Sequence, residues 1–350
     1  MGAIDFSHGG NIYEFERKYN REIIDFSANI NPLGLPGKLK ETLYKNFGRI
    51  LHYPDPDAAN LVKKIANYWG ISKRNVLLGS GSAELIYLIV ATFRPETTLI
   101  PVPTFSEYER AAKSTGSKVS FLKLKMKDGF RLNLSSVNKR DMFFLCHPNN
   151  PTGSFLLNNP KTIEGLANKL VVIDEAFMDF LPSQRKYTSI KRATVRPKVV
   201  VLRTFTKMFA LPGLRIGYIV GHRDTIEKLK KHTPPWNTNS LAQLAAELTL
   251  EDKEYIKKSL RLIESERNFL FNEIAKVKKL IPYPSFTNFL LIRLNDRNLT
   301  SSLLKERLLL YGILIRDCAN FRGLNNKFIR VAVRSHRENL KLIKALKEVL

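Results

Sequence analysis

The chain has 350 residues, 44% of them hydrophobic, which is enough for two lobes around a sizeable core and excludes wholesale disorder. Lysine and arginine together number 57 against 32 acidic residues, so the formal net charge is +25. Because the basic residues are spread along the whole chain, we interpret most of this charge as a solvated surface rather than a nucleic-acid-binding face. Two cysteines are too few for a disulfide framework or a cysteine metal site, and no apolar run is long enough to cross a bilayer. We expect a cytoplasmic protein with neither membrane nor nucleic-acid partners and no metal.

Short apolar runs alternate with helix-like segments in the chain from about Val76 onwards. The predicted strands are VLLG, TTLIPV, KVSFLKL, MFFLCH, LVVIDEA, KVVVLRTF and RIGYIVG. Strands that are buried on both faces and joined by helices are typical of a lobe with a mainly parallel sheet. The fold class that we expect is therefore α/β.

The pattern changes after Pro234–Trp236, where a long helical run over residues 240–278 begins. This run leads into the strand-like segments NFLLIRL, GILIRD and KFIRVAVR and then a terminal helix, which predict a smaller α+β lobe. We expect an N-terminal arm associated with the small lobe (1–30), a large domain (31–239) and a small C-terminal domain (240–350).

Polar and turn residues follow five of the predicted strands, at the point where each strand ends. In open α/β sheets, ligands bind beyond the carboxyl ends of the strands. We therefore expect the residues after these strands to meet in one site. The stretches are Gly79–Ser82, Pro101–Tyr108, His147–Gly153, Asp174–Phe177 and Thr204–Lys207.

The segment LLGSGSAEL predicts a strand, a turn of small residues and a helix. Backbone N–H groups at such a helix N-terminus favour a phosphate, and an ordinary N-cap by Ser82 is the alternative. The segment lacks the third glycine of a dinucleotide fingerprint, because Glu84 stands there, and it lacks the lysine of a P-loop. A nucleotide is therefore disfavoured as the ligand.

Two charged residues stand out within these stretches. Asp174 ends the apolar strand VVID, where a carboxylate needs a partner because burying it unpaired is costly. A protonated ring nitrogen of a cofactor would serve, and a structural hydrogen bond from a backbone N–H is the alternative. Lys207 follows Thr204 and Thr206, with Arg215 eight residues on. In a chain this basic, the alternative for Lys207 is a surface lysine.

Five motifs occur along the chain in the order GSGS, NPTG, DEA, TFTK and LRIGY. Together they resemble the fold-type I pyridoxal-phosphate enzymes, and within these the histidinol-phosphate aminotransferase branch. The resemblance covers nearly the whole chain. It implies the fold-type I architecture, pyridoxal 5'-phosphate as cofactor and a homodimer.

The same resemblance implies a role for each motif residue. Lys207 would bind the aldehyde of the cofactor covalently and later move protons. Asp174 would keep the pyridine nitrogen protonated, Asn150 would hydrogen-bond the ring hydroxyl, and Tyr108 would stack on the ring face. The phosphate of the cofactor would be held by Ser82, Ala83, Thr204, Thr206 and Arg215, and by Tyr53 of the neighbouring subunit.

Further motifs narrow the resemblance. HGGN, DFSANINPLG, PPWNTNSLA, LIRDCANFRGL and FIRVAVRS are similar to the threonine-phosphate decarboxylases of cobalamin biosynthesis. A solvated histidine is the alternative for His8, and a side chain that extends to water is the alternative for the arginines. Arg322 and Arg334 are nearby further candidates. This resemblance implies a small phosphorylated amino-acid substrate, bound by His8, Asn29, Asn150, Arg316 and Arg330.

Three functions remain open from the sequence. The first is decarboxylation of O-phospho-L-threonine to (R)-1-amino-2-propanol O-phosphate, with O-phospho-L-serine, which gives ethanolamine phosphate, as a variant that differs by one methyl group. The second is a histidinol-phosphate-type aminotransferase, which Phe177 disfavours because those enzymes usually carry a tyrosine there. The third is a non-enzymic anion or nucleic-acid binder, suggested by the net charge alone.

Overall fold

A computed structural model describes residues 8–19, 22–138, 140–157, 159–166 and 170–350. Residues 1–7, 20 and 21 of the predicted N-terminal arm lie outside the described residues. The α-helices are α1 (Ile12–Tyr19), α2 (Leu39–Lys45), α3 (Ala59–Trp69), α4 (Gly81–Phe93), α5 (Glu107–Ser114), α6 (Gln184–Tyr187), α7 (Ile190–Val195), α8 (Arg223–Lys230), α9 (Ser240–Thr249), α10 (Lys253–Ala275), α11 (Ser301–Leu309) and α12 (His336–Val349).

The β-strands are β1 (Ile24–Asp25), β2 (Val76–Gly79), β3 (Thr97–Val102), β4 (Lys118–Lys123), β5 (Met142–Cys146), β6 (Leu170–Asp174), β7 (Val199–Thr204), β8 (Gly217–Gly221), β9 (Leu280–Pro282), β10 (Phe289–Leu294), β11 (Ile313–Leu314), β12 (Arg316–Asp317) and β13 (Phe328–Ala332). Segments of 3₁₀-helix lie at Phe47–Leu51, Lys73–Asn75, Met126–Asp128, Leu134–Ser136, Pro160–Leu166 and Met178–Phe180. Among the described residues, no helix combines the length and the apolar character needed to cross a bilayer.

The large lobe is built on a seven-stranded sheet with the order β2-β8-β7-β6-β5-β3-β4. Strands β3 to β7 run parallel, whereas β8 is antiparallel to both of its neighbours, β7 and β2. The central strands β5, β6 and β7 are buried along their whole length. Their side chains are mostly apolar because both faces of such a sheet are covered. The predicted α/β class with a mainly parallel sheet is confirmed, and β8 is its antiparallel exception.

The small lobe contains a four-stranded antiparallel sheet with the order β12-β13-β10-β9, against which α10 packs. The chain before the large lobe also contacts it, because β1 pairs in parallel with β11. The Ala332 N–H then donates to the Phe26 carbonyl oxygen over 2.8 Å. The C-terminal end of the predicted arm therefore lies on the small lobe.

The helical run predicted over residues 240–278 consists of two helices, α9 and α10. They are separated at Leu250–Asp252, and the Asp252 side chain caps α10 by accepting a hydrogen bond from the Tyr255 N–H. α9 packs against α2 and α3 of the large lobe, although the predicted boundary at residue 240 assigns it to the small domain. α10 then carries the chain to the small lobe, where it packs against α12.

Candidate active site

A cavity of about 400 Å³ lies where the carboxyl ends of the large-lobe strands meet the small lobe. Parallel strands deliver the residues that follow them to this edge, so motifs far apart in sequence converge here. A larger groove of about 830 Å³, between α3 and α10, contains none of the predicted site residues. The 400 Å³ cavity is lined by most of them, namely His8, Asn29, Ser82, Ala83, Tyr108, Asn150, Asp174, Thr206, Lys207, Arg215, Arg316 and Arg330.

Lys207 lies in this cavity together with Asp174 and four arginines, Arg110, Arg215, Arg316 and Arg330. Burial lowers the pKa of Lys207 to about 8, and the charges of Arg330 and Arg215 add to the lowering, against the opposing effect of Asp174. An amine with a pKa this low keeps a substantial neutral fraction, which a lysine needs in order to attack a carbonyl carbon. Lys207 is therefore a cavity residue rather than one of the solvated surface lysines.

Asp174 ends β6 in a buried position, and each of its carboxylate oxygens accepts a hydrogen bond. The Tyr108 hydroxyl donates to Oδ2 over 2.6 Å, and the Ala176 N–H donates to Oδ1 over 2.9 Å. Burial raises the pKa of Asp174, while these two hydrogen bonds and the charge of Lys207 oppose the rise. Because each carboxylate oxygen can accept two hydrogen bonds, the backbone bond leaves Asp174 with capacity for a protonated ring nitrogen.

Tyr108 is buried more deeply than we would expect of a residue whose only role is to stack on a ligand ring. It is fully buried, and its ring stacks on Phe144 with 4.9 Å between the centroids, so the core covers one ring face. Phe105 also lines the cavity and contacts Tyr108 edge-on at 5.7 Å. The stacking role of Tyr108 stays a prediction, and Phe105 is a second aromatic candidate that was not predicted from the sequence.

The turn between β2 and α4 is shaped for an anion. Gly81 begins α4 with a φ of +84°, and a Cβ atom there would lie 2.5 Å from Arg215 Nη2. The Ser80 side chain makes no capping hydrogen bond to the helix. The first N–H groups of a helix lack partners within it and favour an anion. Ser82 and Ala83 belong to this first turn, which the Arg215 guanidinium approaches.

Two of the predicted phosphate ligands do not line the cavity. Thr204 supports the loop from beneath, because its Oγ1 accepts from the Thr206 N–H (3.1 Å) and lies 2.8 Å from the Thr206 hydroxyl. Tyr53 is 79% exposed and stacks on Trp236 at 4.5 Å. A residue that reaches the active site of a neighbouring subunit is expected to lie outside the cavity of its own subunit. The contact of Tyr53 with the cofactor phosphate of a neighbouring subunit stays a prediction.

Two buried arginines form the small-lobe wall of the cavity. Arg316 of β12 and Arg330 of β13 are direct partners in the antiparallel pair. Arg330 donates to Asn150 Oδ1 and to the Ser27 carbonyl oxygen (2.7 Å), and Arg316 donates to Asn320 Oδ1 (2.7 Å). Burial lowers the pKa of Arg330 to about 10, and Arg316 contributes to the lowering. Neither arginine extends to water, and two guanidiniums in one cavity favour anionic groups there.

The two predicted N-terminal site residues, His8 and Asn29, also line this cavity. Asn29 is 2% exposed, and its Oδ1 has no hydrogen-bond partner among the described residues. His8 Nε2 lies 2.8 Å from Glu107 Oε1, so His8 is more than a solvated histidine near the terminus. Both residues line the cavity, as does Ser27.

Arg322 and Arg334 are engaged elsewhere. Two hydrogen bonds of 2.8 and 3.0 Å join the Arg322 guanidinium to the Glu109 carboxylate, which links the small lobe to α5. The Arg334 guanidinium donates to Glu338 Oε1 over 2.7 Å. Neither arginine lines the cavity, so both contribute to the framework around it.

Several lining residues were not among the predicted site residues. Phe105 and Glu107 lie in the stretch after β3 that was predicted to reach the edge of the site, and that position was the only signal for them. An acidic residue did not fit a site expected to bind anions, so nothing favoured Glu107. The lining residues that were not predicted are Gly9, Ser27, Ala28, Phe105, Glu107, Arg110, Cys146, Ala176, Phe177 and Phe321.

The donor set of the cavity fits pyridoxal phosphate. Lys207 could hold the aldehyde carbon, Asp174 the ring nitrogen, and the turn at Gly81 with Arg215 the phosphate. Two buried polar atoms of the cavity wall, Asn29 Oδ1 and Arg330 Nε, have no partner within the described residues. Buried polar groups are otherwise almost always hydrogen-bonded, so these atoms indicate that a polar ligand completes the site.

The chain matches the family described as aminotransferase class I and II over residues 21–346. It is 34% identical to the threonine-phosphate decarboxylase of Salmonella typhimurium, over 100% of this chain and 98% of that protein. It is 32% identical to the histidinol-phosphate aminotransferase of Methanocaldococcus jannaschii, over 96% of this chain and 92% of that protein. The solved structure of L-threonine-O-3-phosphate decarboxylase from Porphyromonas gingivalis, 28% identical, superposes with a TM-score of 0.84 over 93% of this chain and 98% of the other. These matches confirm the predicted fold-type I architecture and pyridoxal-phosphate dependence. The chain belongs to the aminotransferase class I and II family.

Proposed function

We propose that this enzyme is a carboxy-lyase that decarboxylates O-phospho-L-threonine to (R)-1-amino-2-propanol O-phosphate, the linker of the cobalamin nucleotide loop. The observation that carries the proposal is the pair Arg316 and Arg330, buried side by side in the cavity that contains Lys207. A phospho-amino acid brings two anionic groups, a carboxylate and a phosphate, and each guanidinium suits one of them. A cytoplasmic location belongs to the same proposal.

Pyridoxal phosphate, when bound, supplies the electron sink that makes a bond to the substrate Cα labile. Asp174 would keep the proton on the ring nitrogen, because a lone pair of its carboxylate that is not yet used can accept a hydrogen bond from that nitrogen. Arg316, with Asn29 and His8, binds the phosphate of the substrate, and Arg330 and Asn150 orient its carboxylate. Which bond breaks depends on this orientation. Lys207 Nζ then delivers the proton that replaces CO₂ at Cα.

Histidinol-phosphate-type transamination is the second candidate, because the Methanocaldococcus jannaschii aminotransferase is nearly as similar to this chain as the decarboxylase from Salmonella typhimurium. Phe177 argues against it. Phe177 lines the cavity and packs edge-on against Phe289 at 5.0 Å, so no hydroxyl is present where aminotransferases usually have one. Membership of an enzyme family removes the support for a non-enzymic anion binder.

The test is a CO₂-release assay with purified holoenzyme. We expect CO₂ and aminopropanol phosphate from O-phosphothreonine, less turnover of O-phosphoserine, and little from unphosphorylated threonine. One methyl group in a pocket corresponds to a preference of roughly 10- to 200-fold. Turnover of histidinol phosphate with 2-oxoglutarate, accompanied by the pyridoxamine form of the cofactor and no CO₂, would reject the proposal.

A pair of arginine variants tests the phosphate contact within that assay. Arg316→Ala should raise KM for O-phosphothreonine strongly while the cofactor absorbance stays unchanged. Arg334→Ala is the matched control, because Arg334 lies in the same lobe but pairs with Glu338 outside the cavity. Loss of bound cofactor in Arg316→Ala would mean that the residue binds the cofactor rather than the substrate.

The proposal also includes a homodimer. Several large apolar side chains in and after α2 are exposed, and a concentration of exposed apolar side chains in one segment favours an interface. Tyr53 lies at the end of this segment and would reach the cofactor phosphate of a second copy. The exposed residues are Tyr44, Phe47, Ile50, Leu51 and Tyr53.

Subunit mixing tests this role of Tyr53. Tyr53→Ala and Lys207→Ala homodimers should each be impaired. In a mixed dimer, one site combines Lys207 of the first chain with Tyr53 of the second, so mixing should restore activity. No recovery after confirmed subunit exchange would show that Tyr53 does not act across an interface.

A further inference from the structure

Glu107 is a buried acidic residue in a cavity that otherwise attracts anions. It begins α5, lines the cavity and is only 6% exposed. Its Oε1 lies 2.8 Å from His8 Nε2, and its Oε2 accepts from the Tyr87 hydroxyl over 2.9 Å. Arg110 Nη1 is 3.7 Å from Oε1. A carboxylate this close to an anion-binding wall requires a reason, since burying its charge is costly and it would repel the ligand.

The segment that carries His8 is fixed to the protein independently of Glu107. A Cβ atom on Gly9 would lie 2.3 Å from the Ser27 carbonyl oxygen, so the backbones touch at this point. The Gly10 N–H donates to Ser27 Oγ over 2.8 Å. The backbone that follows His8 is therefore held against Ser27, whereas the contacts of the imidazole itself come from other residues. The His8 ring meets Glu107 on one side and the Phe105 ring at 5.2 Å on another.

The contact with Glu107 decides which His8 nitrogen is available to a ligand. An ionised carboxylate only accepts hydrogen bonds, so His8 Nε2 must carry the proton in this contact. Nδ1 is then the nitrogen that can face another partner, and within the described residues it makes no hydrogen bond. Carboxylates orient histidines in the same way at many metal and catalytic sites.

We propose that Glu107 is a positioning residue: it accepts the Nε2–H of the His8 imidazolium, so that the second N–H of the ring, at Nδ1, donates to the phosphate of the substrate. The inference rests on the proposed function, because it takes a phosphorylated amino acid as the ligand. It explains why an acidic residue belongs in this wall. Its charge is offset by Arg110 and by the protonated ring of His8.

A double-mutant cycle tests the proposal, with wild type, Glu107→Gln, His8→Ala and the double variant. The readout is the dissociation constant of O-phosphothreonine on the holoenzyme, followed by the absorbance of the cofactor. We expect Glu107→Gln to weaken binding roughly 10-fold, the scale of one charge-assisted hydrogen bond. In the His8→Ala background the same substitution should change binding less than about 2-fold, because its target is absent. Binding of unphosphorylated threonine should not respond to Glu107→Gln.

Glu109→Gln is the matched control, because Glu109 is a buried, ion-paired carboxylate on the same helix that contacts Arg322 instead of His8. It should leave phosphothreonine binding near the wild-type value, and Glu107→Asp should recover part of the affinity. An equal effect of Glu107→Gln in both backgrounds, or on threonine as well, would mean that Glu107 acts only on the packing of α5 and would overturn the inference. Failure of the wild type to bind O-phosphothreonine would also overturn it. Binding without CO₂ release would reject only the proposed reaction, and the double-mutant cycle would still test the role of Glu107.

Discussion

Replacing Tyr108 by phenylalanine isolates one hydrogen bond at the buried carboxylate of the site. The hydroxyl donates to Asp174 Oδ2 over 2.6 Å, while the ring is held separately by its stacking on Phe144. A hydrogen bond to a charged group contributes about 1.5–3 kcal/mol. Its removal raises the pKa of Asp174 further, because burial already disfavours the ionised form. We expect cofactor affinity and kcat/KM together to fall roughly 10- to 150-fold, since 1.4 kcal/mol is a factor of ten.

Titration of the apoprotein with pyridoxal phosphate, followed by absorbance, measures the affinity directly and does not depend on the identity of the substrate. Tyr218→Phe is the matched control, because it removes another buried tyrosine hydroxyl, which accepts from Trp69 Nε1 over 2.9 Å. That variant should lose stability without losing cofactor affinity. Wild-type affinity and turnover in Tyr108→Phe would refute the reasoning. Equal losses in the two variants would refute it as well, because the defect would then be one of general packing.

Three further predictions follow from the same geometry. Only a neutral amine attacks an aldehyde, so the rate at which pyridoxal phosphate binds covalently to Lys207 of the apoprotein should rise with pH and level off above about pH 8. A rate that still rises towards pH 10.5, the ordinary pKa of lysine, would contradict the lowered pKa. Arg203→Met removes the guanidinium that lies 3.0 Å from the carboxylate of the fully buried Glu175. The free energy of unfolding should fall by about 3–5 kcal/mol, which a lower midpoint of urea unfolding would show, and an unchanged midpoint would contradict this. Gly81→Ala puts a methyl group 2.5 Å from Arg215 Nη2 at a φ of +84°, so pyridoxal phosphate should bind at least about 10-fold more weakly, and unaltered binding would exclude a phosphate at this turn.

The large lobe and its site edge could be predicted from the sequence because the signals are local. Asp174 and Lys207 each follow a run of apolar residues that fits a doubly buried strand, and β6 and β7 are adjacent and parallel. Their convergence therefore follows from strand direction alone. The same argument located Asn150 after β5, although its partner Arg330 comes from the other lobe.

What could not be predicted depends on contacts between distant segments. Nothing near Glu107 indicates that its partner is His8, which is 99 positions away. The boundary at residue 240 rests on composition, but α9 packs on α2 and α3 through tertiary contacts that its own sequence does not specify. Thr204 and Thr206 are equivalent in the motif, and only the backbone after β7 decides that the second lines the cavity and the first supports it.

The two arginines at opposite ends of the site both act on the pKa of Lys207. Arg330 on the small-lobe wall and Arg215 at the turn between β2 and α4 both lower the pKa of Lys207. A nearby positive charge disfavours a protonated amine, and an anion paired with that charge removes the effect. Phosphate and carboxylate groups bound to these arginines would therefore let Lys207 hold its proton more tightly. The amine would therefore be better suited to attack a carbonyl carbon before anionic groups pair with these arginines, and to hold a proton for Cα after they have paired.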